Sequence, residues 1–291
     1  MNKKVRGWML RTHVLLSLCA LLGFMLIPLP LFQNIFGVLK ENVLLFITAL
    51  VITAGGALLP DLDNNKSSAG SKLLPIGSML TTFMKSSSQI VWNIYHWKGD
   101  RRPQNQHRYL WHTPIIGIGM ILLFYFLFPT RDTTIFDDIR DNINNGNIGQ
   151  FIIHNTVLFI FILLVFAAVF VGSDIIVYRL SRFFQGLPNI IKLLFPFVVL
   201  FYIIGFLKYP DIRILAICLG TGYLLHCLED VLVDSGICLF WPIPNFFKKK
   251  VWQKVHLPLG LKTGGTVNKI IDIILLPLLV VLIVIVFKGG N

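Results

Sequence analysis

His107-Arg108-Tyr109-Leu110-Trp111-His112-Thr113-Pro114 leads directly into an apolar run, residues 115–128. Two imidazoles and a guanidinium at the mouth of such a run make one wall of a metal site. Thr113 suits a helix N-cap, and Pro114 suits the first helical position, where its missing N–H has no helical partner to lose. His112 therefore stands just outside a helix. His107 comes five residues earlier, about 140° away on an ideal helix. It belongs to the entering loop, so the two rings converge from loop and helix mouth.

The rest of the chain puts that helix in a membrane. Of 291 residues, 55% are hydrophobic and only 14% charged, against roughly 25% charged in an ordinary soluble domain. The mean hydropathy is +0.73. Apolar runs recur at residues 14–39, 43–59, 115–128, 151–172, 190–207, 212–228 and 267–287. They predict an all-α, polytopic integral membrane protein, a single domain over residues 1–291 with about seven transmembrane helices. Residues 115–128 fall short of the roughly 17 to 25 residues a crossing takes, and the runs at 43–59 and 212–228 sit at its lower limit. Pro28 and Pro30 kink the first run or end it early. That run is longer than a signal-peptide core and lacks a small-x-small cleavage pattern, so it reads as an uncleaved anchor.

The net charge of +12 would point to nucleic acid in a soluble protein. Here the cations fall between apolar runs, as in juxtamembrane cytoplasmic loops, and the partner they imply is the bilayer. With the N-terminus inside, the 60–112 loop is cytoplasmic and carries Lys66, Lys72, Lys85, Lys98, Arg101, Arg102 and Arg108. The 129–150 loop is outside, with Asp132, Asp137, Asp138 and Asp141 against Arg131 and Arg140. Arg179 and Arg182, and later Lys248, Lys249, Lys250, Lys254 and Lys262, return inside. Within the first inside loop, Ile76, Met79, Leu80, Phe83 and Met84 recur at helical spacing beside Lys72 and Lys85, the pattern of an amphipathic helix lying on the membrane. Cys19, Cys218, Cys227 and Cys238 have no C-x-x-C spacing and read as free thiols.

Four clusters carry the chemistry. His13 opens the first run. Asp61 and Asp63 follow the second, and a spacing of two in an extended segment turns both carboxylates to one side. His107 and His112 precede the third. His226 and Asp230 close the sixth, four apart and so on one helical face. By the parity of the loops all four lie at cytoplasmic ends. Four imidazoles and three carboxylates can give three or four ligands to each of two ions, and a mixed N/O set suits Zn²⁺, with Mn²⁺ or Fe²⁺ as alternatives. Glu229, Asp61 or Asp63 is the candidate base, and Arg108 the candidate phosphate clamp.

Thr12-His13-Val14-Leu15, Leu58-Leu59-Pro60-Asp61-Leu62-Asp63, His107-Arg108 with His112-Thr113, and Gly222-Tyr223-Leu224-Leu225-His226 through Asp230, Gly236 and Leu239-Phe240-Trp241-Pro242 occur in this order. The set resembles the YdjM-like family of membrane-bound metal-dependent hydrolases, which includes a LexA-regulated member. That family is thought to be related to zinc-dependent phospholipase C and P1 nuclease. The resemblance implies a bacterial inner-membrane enzyme with a helical site of two or three zinc ions, hydrolysing a phosphoester such as a phospholipid or another membrane-associated phosphodiester. The chain departs from the family where Asn64 replaces a His after the Asp-x-Asp pair, and where Tyr109 and Trp111 replace a Gly and a Thr. Residues 129–211 are longer than in compact members and read as an insertion of two further transmembrane helices.

Two other classes compete with the enzyme. A transporter would place ionisable groups near the membrane midplane, whereas these cluster at the ends of runs. A metal that only staples helices together would use the same ligand types. The loop parity makes a direct prediction: a reporter fused after Asn145 reports the outside, and one fused after Lys250 the cytoplasm. Residues 60–112 on the outer face would break both the orientation and the one-sided site.

Overall fold

A computed structural model describes residues 3–63, 76–95, 110–128, 132–145, 156, 158–172, 189–232, 237 and 266–288. Among them no strand occurs. The helices are α1 Lys3–Leu26, α2 Pro30–Glu41, α3 Val43–Gly56, α4 Ile76–Tyr95, α5 Pro114–Leu127, α6 Ile135–Asn144, α7 Leu158–Gly172, α8 Asn189–Phe206, α9 Tyr209–Val231 and α10 Thr266–Lys288. Short 3₁₀ turns at Pro60–Asp63 and Leu110–His112 lead away from α3 and into α5.

Each of the seven apolar runs contains a helix, but the helices differ in reach. Among the described residues, α9 and Lys269–Lys288 of α10 are long and apolar enough to cross a membrane unaided, and α2 with α3 makes a third span if that bent pair counts as one. Pro28 and Pro30 end the first run early, as their missing N–H groups require: α1 stops at Leu26 and α2 restarts with Pro30 in its first turn. Asn42 makes the next corner. It closes α2 and caps α3, its Oδ1 accepting from the N–H groups of Leu44 at 3.1 Å and Leu45 at 3.0 Å, and the two axes differ by 118°. The 129–150 loop is not featureless, since α6 forms within it. Tyr209 at the start of α9 donates its hydroxyl to Asp138 of α6 at 2.8 Å.

The bundle is built around α9, which is largely buried and packs on α3, α5 and α1. Helices in lipid gain little from burying apolar surface against one another, so close van der Waals approach has to supply the cohesion. Glycine allows it here. A Cβ on Gly222 of α9 would run into the Thr53 carbonyl of α3, and one on Gly56 of α3 would run into the Leu219 carbonyl of α9. Gly55, the other half of the pair, meets the Ala168 carbonyl of α7 in the same way. The Thr48 and Thr53 hydroxyls are satisfied by donating back to Leu44 and Ala49 carbonyls, both at 2.8 Å.

This crossing fixes register and direction. Gly222 sits on Thr53, and four residues further along both helices His226 reaches Ala57, so α3 and α9 run parallel and finish at one end of the bundle. The buried His13 of α1 and the start of α5 lie at that same end. All the described ligand candidates are thereby gathered together. The thiols of Cys19, Cys218 and Cys227 are free and buried, as the spacing implied; Cys238 lies outside the described residues.

Gly222→Ala and Gly55→Ala should each lower the melting temperature in detergent, as over-packing against backbone costs about 1–3 kcal/mol or more. Gly119 has open space where a Cβ would go, so Gly119→Ala should leave stability unchanged or raise it by up to about 1 kcal/mol, the helix-propensity gain. Equal behaviour of all three would refute the close-crossing account.

Candidate metal centre

The 3₁₀ turn Pro60–Asp63 corrects the reading of Asp61 and Asp63 as an extended pair facing one way. Pro60 starts the tight turn, and the Leu62 carbonyl within it accepts the Thr81 hydroxyl of α4 at 2.7 Å. With about three residues per turn, side chains two apart diverge by roughly 120°. The two carboxylates therefore straddle His112: Asp61 Oδ1 lies 3.7 Å from Nε2, and Asp63 Oδ2 lies 3.5 Å from Nδ1.

His112 itself ends the second 3₁₀ turn, fully buried, just before α5. Thr113 occupies the N-cap position, but its hydroxyl donates back to the Leu110 carbonyl at 2.7 Å rather than serving the helix N–H groups. The turn is pinned on two further sides. Trp111 Nε1 donates to the Met84 carbonyl of α4 at 2.9 Å, and Tyr223 of α9 donates its hydroxyl to the Trp111 carbonyl. His107 and Arg108 lie outside the described residues.

On α9, His226 and Asp230 share a face as their spacing demands, with Nε2 3.4 Å from Asp230 Oδ2. The same Oδ2 stands 3.6 Å from His112 Nε2, and Asp61 Oδ1 is 4.0 Å from His226 Nε2. His13 reaches in from α1, its ring centroid 4.1 Å from that of His226, while Glu229 Oε2 contacts its Nδ1. Five of the predicted ligands, His13, Asp61, His112, His226 and Asp230, thus converge, and Asp63 and Glu229 sit directly behind two of the histidines.

His226 has its two ring nitrogens in different surroundings. Its Nδ1 is 2.7 Å from the Ala57 carbonyl, which can only accept, so Nδ1 carries the proton. Nε2 is buried, makes no hydrogen bond among the described residues and faces carboxylates of Asp230 and Asp61. Two ligands on one tetrahedral Zn²⁺, each about 2.0–2.1 Å from it, stand roughly 3.3 Å apart. The nitrogen–oxygen separations of 3.4–4.0 Å approach that spacing and are too long for good hydrogen bonds. Four carboxylates beside three imidazoles, all of them buried except Asp61, also call for positive charge. The donor set fits a divalent cation on both counts.

Two triads have all their donor atoms within 4.8 Å of one another: His13 with His226 and Asp230, and Asp61 with His112 and His226. One imidazole nitrogen serves one ion, and Nδ1 of His226 is committed to Ala57. The two triads share His226, so it would serve only one of them, beside Asp230 or Asp61.

Some of the site was not legible in the sequence. The Ala57 carbonyl is an ordinary helix-end acceptor and leaves no signature in residue type, and nothing marks Thr81 or Trp111 as props for the ligand turns. Asp272 did carry a signal, an acid in the last apolar run. The structure buries it at α1, where Oδ1 accepts the Thr12 hydroxyl at 2.7 Å, one residue from His13. Asp211 lies away from this cluster and accepts from the Lys208 N–H at 3.4 Å at the start of α9.

A family model described as YdjM inner membrane protein matches residues 9–182. No curated protein and no solved structure matches the chain. The matched segment includes His13, Asp61, Asp63, His107 and His112, whereas His226, Glu229 and Asp230 lie beyond it.

Burial alone would push the His112 imidazole down, but the Asp63 carboxylate, together with Asp61 and Asp230, outweighs it and holds the pKa up to about 9. The charged ring stabilises the metal-free fold below its unfolded value near 6.5, and that contribution is lost as pH rises through about 9. A metal ion held by His112 would have to displace this proton. Zn²⁺ affinity should therefore climb between pH 7 and 9 and level off above it, with proton release visible by calorimetry in buffers of different ionisation enthalpy. A flat affinity profile across that range would contradict the assignment of His112 as a ligand.

Proposed function

We propose that this chain, which belongs to the YdjM inner membrane protein family, is a metal-dependent hydrolase that acts on a phosphoester at that membrane. The observation that carries the reading is the His226 ring, with Nδ1 spent on Ala57 and a buried Nε2 turned between two carboxylates without a hydrogen bond among the described residues. His13, Asp61, His112, His226 and Asp230 would hold one or two divalent ions, with Zn²⁺ the best match for the donor types. When bound, such an ion supplies Lewis acidity toward phosphoryl oxygens and an acidified water at neutral pH.

The chain's own residues divide the remaining work. Ala57, Asp63 and Glu229 each face the Nδ1 of a histidine, His226, His112 and His13 respectively. Backing of this kind fixes ring orientation and leaves Nε2 as the inward donor. Glu229 Oε1 is buried and free of hydrogen bonds among the described residues, so it is the group suited to take a proton. Asp61, the most exposed of the four carboxylates, marks the side open to substrate. His107 and Arg108 keep the roles their motif implies, a further ligand and a phosphate clamp.

In this reading all seven apolar runs cross the inner membrane, residues 129–211 being an insertion without ligands, and the centre lies on the cytoplasmic side. A phospholipid or other membrane-associated phosphodiester is then the nearest substrate, consistent with the resemblance to phospholipase C and P1 nuclease. One observation favours a second reading: His112, His226 and Asp230 are fully buried, as the ligands of a closed structural metal site are.

The zinc-reconstituted protein and its Asp230→Asn variant, assayed against phospholipids, nucleotides and generic phosphodiesters, separate the two readings. Hydrolysis by the wild type and a loss on the order of 100-fold or more in the variant are expected. A fully metallated wild type that cleaves nothing, with chelation still lowering its melting temperature, would leave the structural role in its place.

A further inference from the structure

The helix α4 lies beside the centre without contributing a ligand, and its two faces differ in kind. Outward it exposes Met79, Phe83, Ile90 and Ile94, each more than half accessible. At 100° per residue these four fall within a stripe about 60° wide. Inward it holds both turns that carry ligands: Thr81 donates to Leu62 in the Asp61–Asp63 turn, and the Met84 carbonyl and Ser87 hydroxyl accept from Trp111, at 2.9 and 3.0 Å, beside His112. Trp92 packs on Leu110 of the same second turn.

We infer that α4 is a membrane-surface helix whose apolar stripe is seated in an anionic leaflet, and that this seating holds the two ligand-bearing turns in place. Three observations select the bilayer as occupant. The stripe continues an established apolar surface: Phe83 lies 5.8 Å from the Trp111 ring, just ahead of α5, whose Ile115, Ile118 and Leu122 are also exposed in a protein of an inner membrane family. The helix is not among those apolar enough to cross, with Lys85 at its middle. The segments flanking it, residues 64–75 and 96–109, carry Lys66, Lys72, Lys98, Arg101, Arg102 and Arg108 against the single acid Asp100, which complements anionic headgroups. The docking half stands on the helix alone. The coupling half rests on the proposed metal centre, because free energy gained at one face of α4 is linked to the arrangement it stabilises at the other.

Full-length protein with Cys238→Ser, its other thiols being buried, takes single spin labels at positions 79, 83, 90 and 94 in nanodiscs of mixed zwitterionic and anionic lipid. Relaxation should be driven by dissolved oxygen far more than by a water-soluble nickel chelate at all four positions. Strong chelate access, or shielding from both reagents with dipolar broadening between copies, would overturn docking in favour of water or a second copy. For the coupling, the fourfold serine variant of these residues should bind Zn²⁺ at least tenfold more weakly in the same discs, while retaining wild-type helicity by circular dichroism. Unchanged affinity with the label result intact would overturn the coupling, and a variant that loses helicity is replaced by Phe83→Ser alone, read against the same tenfold criterion. A wild type that binds no zinc would instead strike at the metal reading and leave the docking result standing.

Discussion

The bond from His226 Nδ1 to the Ala57 carbonyl is the point on which the rest of the molecule turns. It exists because α3 ends where it does. The last carbonyls of a helix lack an intrahelical partner, and Gly55 and Gly56 end α3 while letting two other helices approach its backbone. The Gly222–Thr53 crossing then delivers an imidazole to that carbonyl one turn later. A side chain at either glycine would separate α3 from its neighbours, and the histidine would lose both its fixed tautomer and its distance to Asp61.

Around this bond the charges are arranged as a shell around a shell. Asp61 and Asp230 face the inward nitrogens, whereas Asp63 and Glu229 sit behind histidines. Carboxylates behind imidazoles make them better donors, and carboxylates among them compete for the same cation. The concentration of negative charge is costly in a buried place, and that cost is consistent with a metal as the compensating group. Where no metal is bound, protonation of His112 offsets part of it, which sets proton and metal against each other.

Sequence reading reached the elements more surely than their geometry. The apolar runs, the breaks at Pro28 and Pro30, the amphipathic α4 and the shared face of His226 and Asp230 follow from periodicity and backbone sterics, which act over a few residues. The convergence of the described cluster residues at one end agrees with what alternating loop charge led one to expect. The orientation of Asp61 against Asp63 did not follow. An Asp-x-Asp triplet is compatible with extended or 3₁₀ backbone, and the choice is made by Pro60 and by the distant Thr81. The division of carboxylates between those facing Nε2 and those facing Nδ1 was equally hidden, since residue type does not reveal which ring nitrogen a carboxylate meets.

The bond between Thr12 and Asp272 joins positions 260 residues apart, next to His13 at one end and on the final helix at the other. Alongside it, Cys19 Sγ donates to the Leu275 carbonyl at 3.5 Å, and Leu15, Cys19 and Leu275 form a small buried cluster. Among the described helices, α1 is therefore seated by α10, which is synthesised after it. During synthesis Thr12 and His13 of α1 lack these neighbours until α9 and then α10 have been made. The geometry around His13 is in this sense a checkpoint in time: it is complete only once α10 is in place beside α1.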